Sequence, residues 1–209
     1  MAERVPALTA DCDRWTPTTS RGTISATEYP GSKAMRRIVT GHDADGKAVV
    51  IADGDAPNRI TLAARPGWEL NTLWATHGAP TLPAAGDPSL QVNAYLPALH
   101  GTRFIVATLP SRQQAATIDP VALRAEYSAK VPGLGTAHER DDHGMHTTDT
   151  VDYVIILSGE VWLELDDGEA VLVKAGDCVI QNGTRHAWRN RADLPCLLAA
   201  VMLGAERTR

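Results

Sequence analysis

Short apolar and β-branched runs, separated by turns that contain glycine and aspartate, dominate the C-terminal third of the chain. Each run is the length of a strand, and the turns recur at regular spacing. This pattern is typical of an all-β sandwich or barrel. The predicted strands span residues 151–157, 161–165, 170–173, 178–181, 186–188 and 196–203.

The middle of the chain carries a second group of β-prone runs. Residues 36–40 and 47–52 flank Asp45-Gly46, and two such runs around an Asp-Gly turn predict a hairpin. We expect these N-terminal strands to extend or complete the same barrel. Further strands are predicted at residues 60–62, 69–76 and 104–109.

One helix is predicted, and two segments are predicted to be irregular. Asp119 is a candidate N-cap and Pro120 a first helical residue, so a short helix should run to residue 127. No other segment has a convincing helical pattern. Residues 77–91 are rich in proline and glycine and predict a loop. Residues 1–34 are rich in Thr, Ser, Pro and Gly and predict a flexible arm.

Composition and charge exclude several classes of function. The 209 residues are 44% hydrophobic and 22% charged, as in ordinary soluble proteins. The net charge is -5 and the cations are scattered, so no nucleic-acid partner is expected. No signal-peptide pattern and no run of about 18 apolar residues is present, which predicts a cytoplasmic protein without a membrane partner. Cys12, Cys178 and Cys196 have no metal or redox spacing, and we expect the last two to be buried.

Two histidine-containing segments carry the candidate chemistry. In the first, His146 precedes Asp152, and six residues separate Asp152 from Gly159. Because side chains alternate along a strand, Tyr153 should face away from the side on which Asp152 lies. His143 stands three positions before His146, which places the two on opposite faces of an extended segment.

The second segment contains Gly176, Gly183, His186 and Asn190. Together, the segments from 146 to 190 resemble a cupin domain. The runs 145–153 and 185–190 resemble a bacterial and fungal subgroup of single-domain cupins whose activity is poorly defined. The resemblance implies a cupin double-stranded β-helix, a jelly-roll barrel with an N-terminal strand extension. The expected organisation is an arm at 1–34, a β extension at 35–118 that completes the barrel, and a cupin core at 119–209.

The resemblance also implies a metal site made of His146, Asp152 and His186. Two imidazoles and one carboxylate form the facial triad that holds Fe(II) and related ions with coordination positions left open. The expected cofactor is a divalent Fe, Mn, Ni or Zn ion. The acidic position usually holds Glu in the family, and the usual His-x-His is absent here, which leaves open whether His143 is a further ligand. Thr148 and Asn190 are candidates for orienting the histidines.

Three functions follow from this reading. The first is a metal-dependent enzyme acting on a small oxygenated organic molecule by decarboxylation, dehydration or isomerisation. The second is an Fe(II) dioxygenase, because the same ligands suit oxygen activation. The third is a non-catalytic cupin that binds a ligand, since fold does not determine function. The resemblance further implies a homodimer whose partner molecule is a small-molecule substrate.

Overall fold

The computed structural model describes residues 35–84, 86–115, 119–133, 137, 139 and 144–208. The predicted flexible arm, residues 1–34, lies outside these ranges. The described part is built mainly from antiparallel β-strands, so the all-β prediction is confirmed. None of its helices is long and apolar enough to cross a membrane.

The predicted hairpin is present at the beginning of the described chain. Strands β1 (Arg36–His42) and β2 (Ala48–Asp55) pair antiparallel around the Asp45-Gly46 turn and form a separate two-stranded sheet. Gly46 has a φ of 78°, a backbone conformation that favours glycine. The Arg37 guanidinium attaches this hairpin to the rest of the chain by donating to the Leu73 carbonyl at 2.8 Å and to the Ser89 hydroxyl at 2.7 Å.

A six-stranded sheet forms the larger wall of the barrel. Its order is β3-β4-β5-β11-β6-β9, with every neighbouring pair antiparallel. The sheet therefore combines strands from both halves of the sequence. Its strands are β3 (Asn58–Thr61), β4 (Glu69–Thr76), β5 (Thr102–Leu109), β6 (Thr150–Ser158), β9 (Cys178–Asn182) and β11 (Cys196–Gly204).

A three-stranded sheet, in the order β10-β7-β8, supplies the remaining strands. These are β7 (Glu160–Glu164), β8 (Ala170–Lys174) and β10 (Ala187–Arg189). Val161, Leu163 and Val173 of this sheet belong to the same buried cluster as Val154 and Leu198 of the larger sheet. One apolar core therefore joins the two sheets.

The helices differ from the prediction in number. The predicted helix is confirmed as α2 (Pro120–Lys130), and the Asp119 carboxylate accepts hydrogen bonds from the Val121 and Ala122 amides, as an N-cap does. A single turn, α1 (Arg112–Ala115), and two 3₁₀ turns, Pro88–Gln91 and Asp166–Gly168, were not predicted. Segments of three or four residues are too short to carry a helical period, which explains the omission.

The two described cysteines lie in different environments. Cys196 is buried, as predicted, whereas Cys178 is exposed and the prediction for it was wrong. Cys178 pairs with Ile155 on the outward face of the larger sheet. The outward face of this sheet is itself apolar. An apolar run in the sequence therefore does not indicate which of its residues are buried and which are exposed.

Candidate functional site

A cavity of about 850 Å³ occupies the interior between the sheets. Inward-facing apolar side chains of the larger sheet line part of it, and aromatic and cationic side chains from other elements add to them. Such a cavity matches the size and composition of small-molecule sites. The apolar side chains of the larger sheet that line it are Leu70, Ile105, Ala107, Leu109, Val154, Leu198, Ala200 and Met202.

His146 and His186 meet on the wall of this cavity. Their backbones form an isolated antiparallel bridge, with an N–H···O hydrogen bond of 2.9 Å in each direction. The two imidazole centroids are 4.3 Å apart, and the Trp188 ring stands edge-on to His186 at 6.1 Å. Two of the three predicted ligands are therefore adjacent.

Backbone carbonyls determine the tautomers of both rings. The Nδ1 atom of His146 lies 3.0 Å from the Gly144 carbonyl, and that of His186 lies 2.9 Å from the Thr184 carbonyl. A carbonyl only accepts, so each Nδ1 donates its hydrogen, and Nε2 is the nitrogen that carries the lone pair in the neutral ring. Nε2 is the atom through which each ring could bind a metal.

Both imidazoles are held in the neutral form. Burial lowers the pKa of His146, and this effect outweighs the hydrogen bond to the Gly144 carbonyl, which raises it. Burial, followed by the proximity of His146, lowers the pKa of His186 to about 4. A neutral imidazole is the form that ligates a metal.

The residues predicted to orient the histidines have other partners. The Thr148 hydroxyl is bonded to that of Thr150 at 2.8 Å. The Asn190 amide donates to the carbonyls of Leu109 and Leu194, which fixes a loop. The orienting groups are instead main-chain carbonyls, which no residue type in the sequence would reveal.

Asp152 lines the same cavity from strand β6. Alternation along the strand points it inward and turns Tyr153 outward, where that side chain is 48% exposed, as predicted. The Oδ1 atom of Asp152 is buried without a hydrogen-bond partner. Burial raises the pKa of this carboxyl, and a hydrogen bond from Thr150 opposes the effect.

The structure brings the three predicted ligands to one cavity without clustering them. Among the residues described, no group of three or more His, Cys, Asp or Glu side chains lies close enough to hold a metal ion. His143 lies outside the described residues. The triad of His146, Asp152 and His186 therefore stays a prediction.

Several cavity residues were not identified from the sequence. Tyr95, Arg65 and Arg124 come from loops and from helix α2, far along the chain from the histidines. The Arg65 guanidinium donates to the Tyr127 hydroxyl at 2.8 Å. Burial, followed by the Asp152 carboxylate, raises the pKa of Tyr95, so its phenol stays protonated. Single residues in loops carry no periodic signal that would have indicated them.

Comparison with known proteins finds a family match over part of the chain. Residues 135–202 match the family described as "Cupin domain". The matched range contains both histidines, Asp152 and strands β6 to β10 in full, together with most of β11. The match therefore covers the segment that carries the candidate site.

Fungal proteins are similar to this chain over different lengths. "Phomopsin biosynthesis cluster protein C'" of Diaporthe leptostromiformis is 50% identical over 48 residues, which are 23% of this chain and 25% of that protein. "Cupin-domain-containing oxidoreductase srdB" of Neurospora crassa is 26% identical over 82% of this chain and 74% of its own length. "Cupin-domain-containing oxidoreductase virC" of Hypocrea virens is 26% identical over 82% of this chain and 75% of its own length.

A solved structure gives a more distant likeness. A Cupin 2 conserved barrel domain protein from Salinispora arenicola is 17% identical and covers 68% of this chain and 81% of its own, with a TM-score of 0.35. The sequence match over residues 135–202 agrees with the antiparallel β architecture of that segment. Residues 135–202 of this chain are therefore similar to a cupin domain.

Proposed function

We propose that this protein is a metal-dependent cupin enzyme that converts a small oxygenated organic molecule bound in the barrel cavity. The observation that carries the proposal is the pair of imidazoles, His146 and His186, 4.3 Å apart on the wall of that cavity. Both histidines line one cavity and both engage a main-chain carbonyl through Nδ1, which makes Nε2 the candidate metal-binding atom of each ring.

The donor chemistry of the site fits a divalent metal ion. Two neutral imidazoles suit Fe, Mn, Ni or Zn, and the Oδ1 atom of Asp152 is a buried oxygen that lacks a protein partner. A buried carboxylate oxygen without a partner costs free energy, which a bound cation would offset. His146 and His186 would hold the ion, and Asp152 would join them by moving toward the pair from its place in the same cavity. The ion when bound would polarise an oxygen of the substrate.

The remaining cavity residues support this chemistry through position and exclusion of water. The carbonyls of Gly144 and Thr184 keep the imidazoles in one tautomer. Trp188 limits rotation of the His186 ring by standing edge-on to it. The apolar walls keep water from the bound molecule, which strengthens every electrostatic contact inside.

Two reaction types remain within the proposal. Lewis-acid chemistry would decarboxylate, dehydrate or isomerise the substrate, whereas Fe(II) would activate oxygen in a dioxygenase. The names of the relatives from Neurospora crassa and Hypocrea virens as oxidoreductases favour oxidative chemistry. A non-catalytic ligand-binding cupin is the alternative outside enzymes.

Metal analysis tests the proposal directly. The full chain would be purified without a metal-affinity tag, and its metal content measured by elemental mass spectrometry beside His146→Ala and His186→Ala. We expect about one equivalent of a divalent metal in the parent and loss in both variants. His42→Ala, a change at an exposed histidine on strand β1, is the matched control and should keep the metal.

The outcome also separates the alternatives. Bound iron together with oxygen uptake in the presence of a substrate would select the dioxygenase, and bound zinc would favour Lewis-acid chemistry. A folded parent that takes up no metal after reloading would contradict the proposal and leave the ligand-binding cupin.

A further inference from the structure

The cavity carries positive charge that the described residues only partly neutralise. Four guanidinium groups line it, those of Arg65, Arg124, Arg189 and Arg191. Arg189 and Arg191 share the Glu164 carboxylate, at 3.0 Å and 3.6 Å. The other two arginines make no ion pair with any carboxylate in the described ranges.

The carboxylates that line the cavity do not balance this charge. Glu139 is bound by Arg185 through two hydrogen bonds of 2.7 Å. Asp152 lies among the apolar residues of strand β6, and it forms no ion pair with either Arg65 or Arg124. The cavity is therefore suited to a negatively charged ligand.

Arg65, from the loop between strands β3 and β4, and Arg124, from helix α2, both line the cavity. Arg65 donates to the Tyr127 hydroxyl, and Tyr127 stands three residues after Arg124, on the same face of helix α2. The Nε atom of Arg65 is buried and has no hydrogen-bond partner. A buried N–H donor on a cation costs free energy until an acceptor reaches it, and a bound anion would supply that acceptor.

We infer that Arg65 and Arg124 bind the carboxylate of a substrate whose apolar body fills the barrel cavity. This inference rests on the proposed function, because it names the substrate class of the same site. The planar fork of a guanidinium matches a carboxylate through two parallel hydrogen bonds. The apolar walls from strands β5, β6 and β11 accommodate an aliphatic or aromatic body.

Calorimetric binding of decanoate and of decanol, its neutral counterpart, tests this inference. The full chain would be titrated in EDTA, so that a metal does not contribute to binding. We expect decanoate to bind at least about tenfold more tightly than decanol. Arg65→Gln and Arg124→Gln should each weaken decanoate about tenfold and leave decanol unchanged. Arg36→Gln, on the exposed hairpin, is the matched control.

Each possible result decides the question. Equal affinity for decanoate and decanol, or an equal loss of both in the variants, would overturn the inference. Tighter binding of decyl phosphate would overturn the assignment to a carboxylate. If Arg65→Gln fails to fold, the test relies on Arg124, whose side chain is exposed. Arg124→Lys should then recover part of the affinity for decanoate that Arg124→Gln loses. Since the titration contains no metal, failure of the metal proposal would leave its result intact.

Discussion

The rings of His146 and His186 lie 4.3 Å apart because the backbones of these two residues hydrogen-bond to each other in both directions. The main chain, and not the side chains, therefore sets their separation. Truncating one imidazole should leave the position of the other unchanged. Single alanine variants thus report on metal binding without rearranging the wall of the cavity.

Replacing the buried carboxylate should separate stability from metal binding. Asp152→Asn removes a buried charge whose Oδ1 atom lacks a partner, so the metal-free protein should gain about 1 kcal/mol. The increase in Tm produced by added metal should decrease in the same variant. Urea and thermal denaturation, in EDTA and then with metal, measure the two effects.

The control for this substitution is Asp167→Asn. Asp167 is exposed in a 3₁₀ turn, where Asn tolerates the positive φ of 57°. Asp167→Asn should change neither the stability of the metal-free protein nor the increase in Tm produced by added metal. A loss of stability in metal-free Asp152→Asn would contradict the expected gain and show that the hydrogen bond from Thr150 outweighs the cost of the buried charge.

Two glycines of the motif segments should tolerate alanine differently. Gly159 and Gly176 both have positive φ, 74° and 93°. Alanine is strained in this conformation, so either substitution should lower the free energy of unfolding by about 1 kcal/mol. A Cβ at Gly159 would lie 2.6 Å from the Pro195 carbonyl oxygen, whereas one at Gly176 meets nothing within 4 Å. Gly159→Ala should therefore lose about 2 kcal/mol more than Gly176→Ala in urea denaturation. Equal losses would contradict the steric argument.

The strand positions were predictable because alternation and turn chemistry are local. Strand β4 begins and ends where the sequence predicted, and the inward direction of Asp152 followed from alternation with Tyr153. The Asp45-Gly46 turn likewise specified the first hairpin. Each of these features depends on residues close together in the chain.

The chemistry of the cavity was less predictable because it depends on distant contacts. The carbonyls of Gly144 and Thr184 orient the histidines, and a carbonyl is present at every residue. Arg65 meets Tyr127 only after the sheet has folded. Lone residues of this kind have no period or motif, so only the tertiary structure brings them to the site.

The attachment of the first hairpin should depend on pH. Burial alone would raise the pKa of Asp87, but hydrogen bonds from Arg37 and Ser89 outweigh it, so the pKa lies below its usual value. A lowered pKa in the folded state gives stability that is present above about pH 4 and is lost as the pH falls through the folded pKa. Asp87→Asn should therefore cost about 2 kcal/mol at neutral pH and progressively less in acid.

Urea denaturation of parent and variant between neutral pH and about pH 3 measures this difference. Asp53→Asn is the control, because the Asp53 pair with Arg36 is largely exposed and should contribute little at any pH. A difference that stays constant down to the lowest pH would show that the charge of Asp87 is not involved.

The homodimer expected from the family resemblance stays a prediction, and the outward face of the larger sheet indicates where to test it. One row across four strands joins Ile180, Tyr153, Val201 and Phe104, each paired with the next. Ile155 lies beside this row and is 45% exposed. A contiguous apolar face of this kind is typical of an interface between protein chains, and we propose that a second copy of the chain covers it.

Light scattering coupled to size-exclusion chromatography should therefore give twice the chain mass for the parent and the chain mass for Ile155→Glu. A glutamate there would be buried without a partner in the dimer, which opposes association. Val171→Glu, at a similarly exposed aliphatic residue on the smaller sheet, is the matched control and should remain dimeric. A monomeric parent would contradict the prediction, and a dimeric Ile155→Glu variant would place the interface elsewhere.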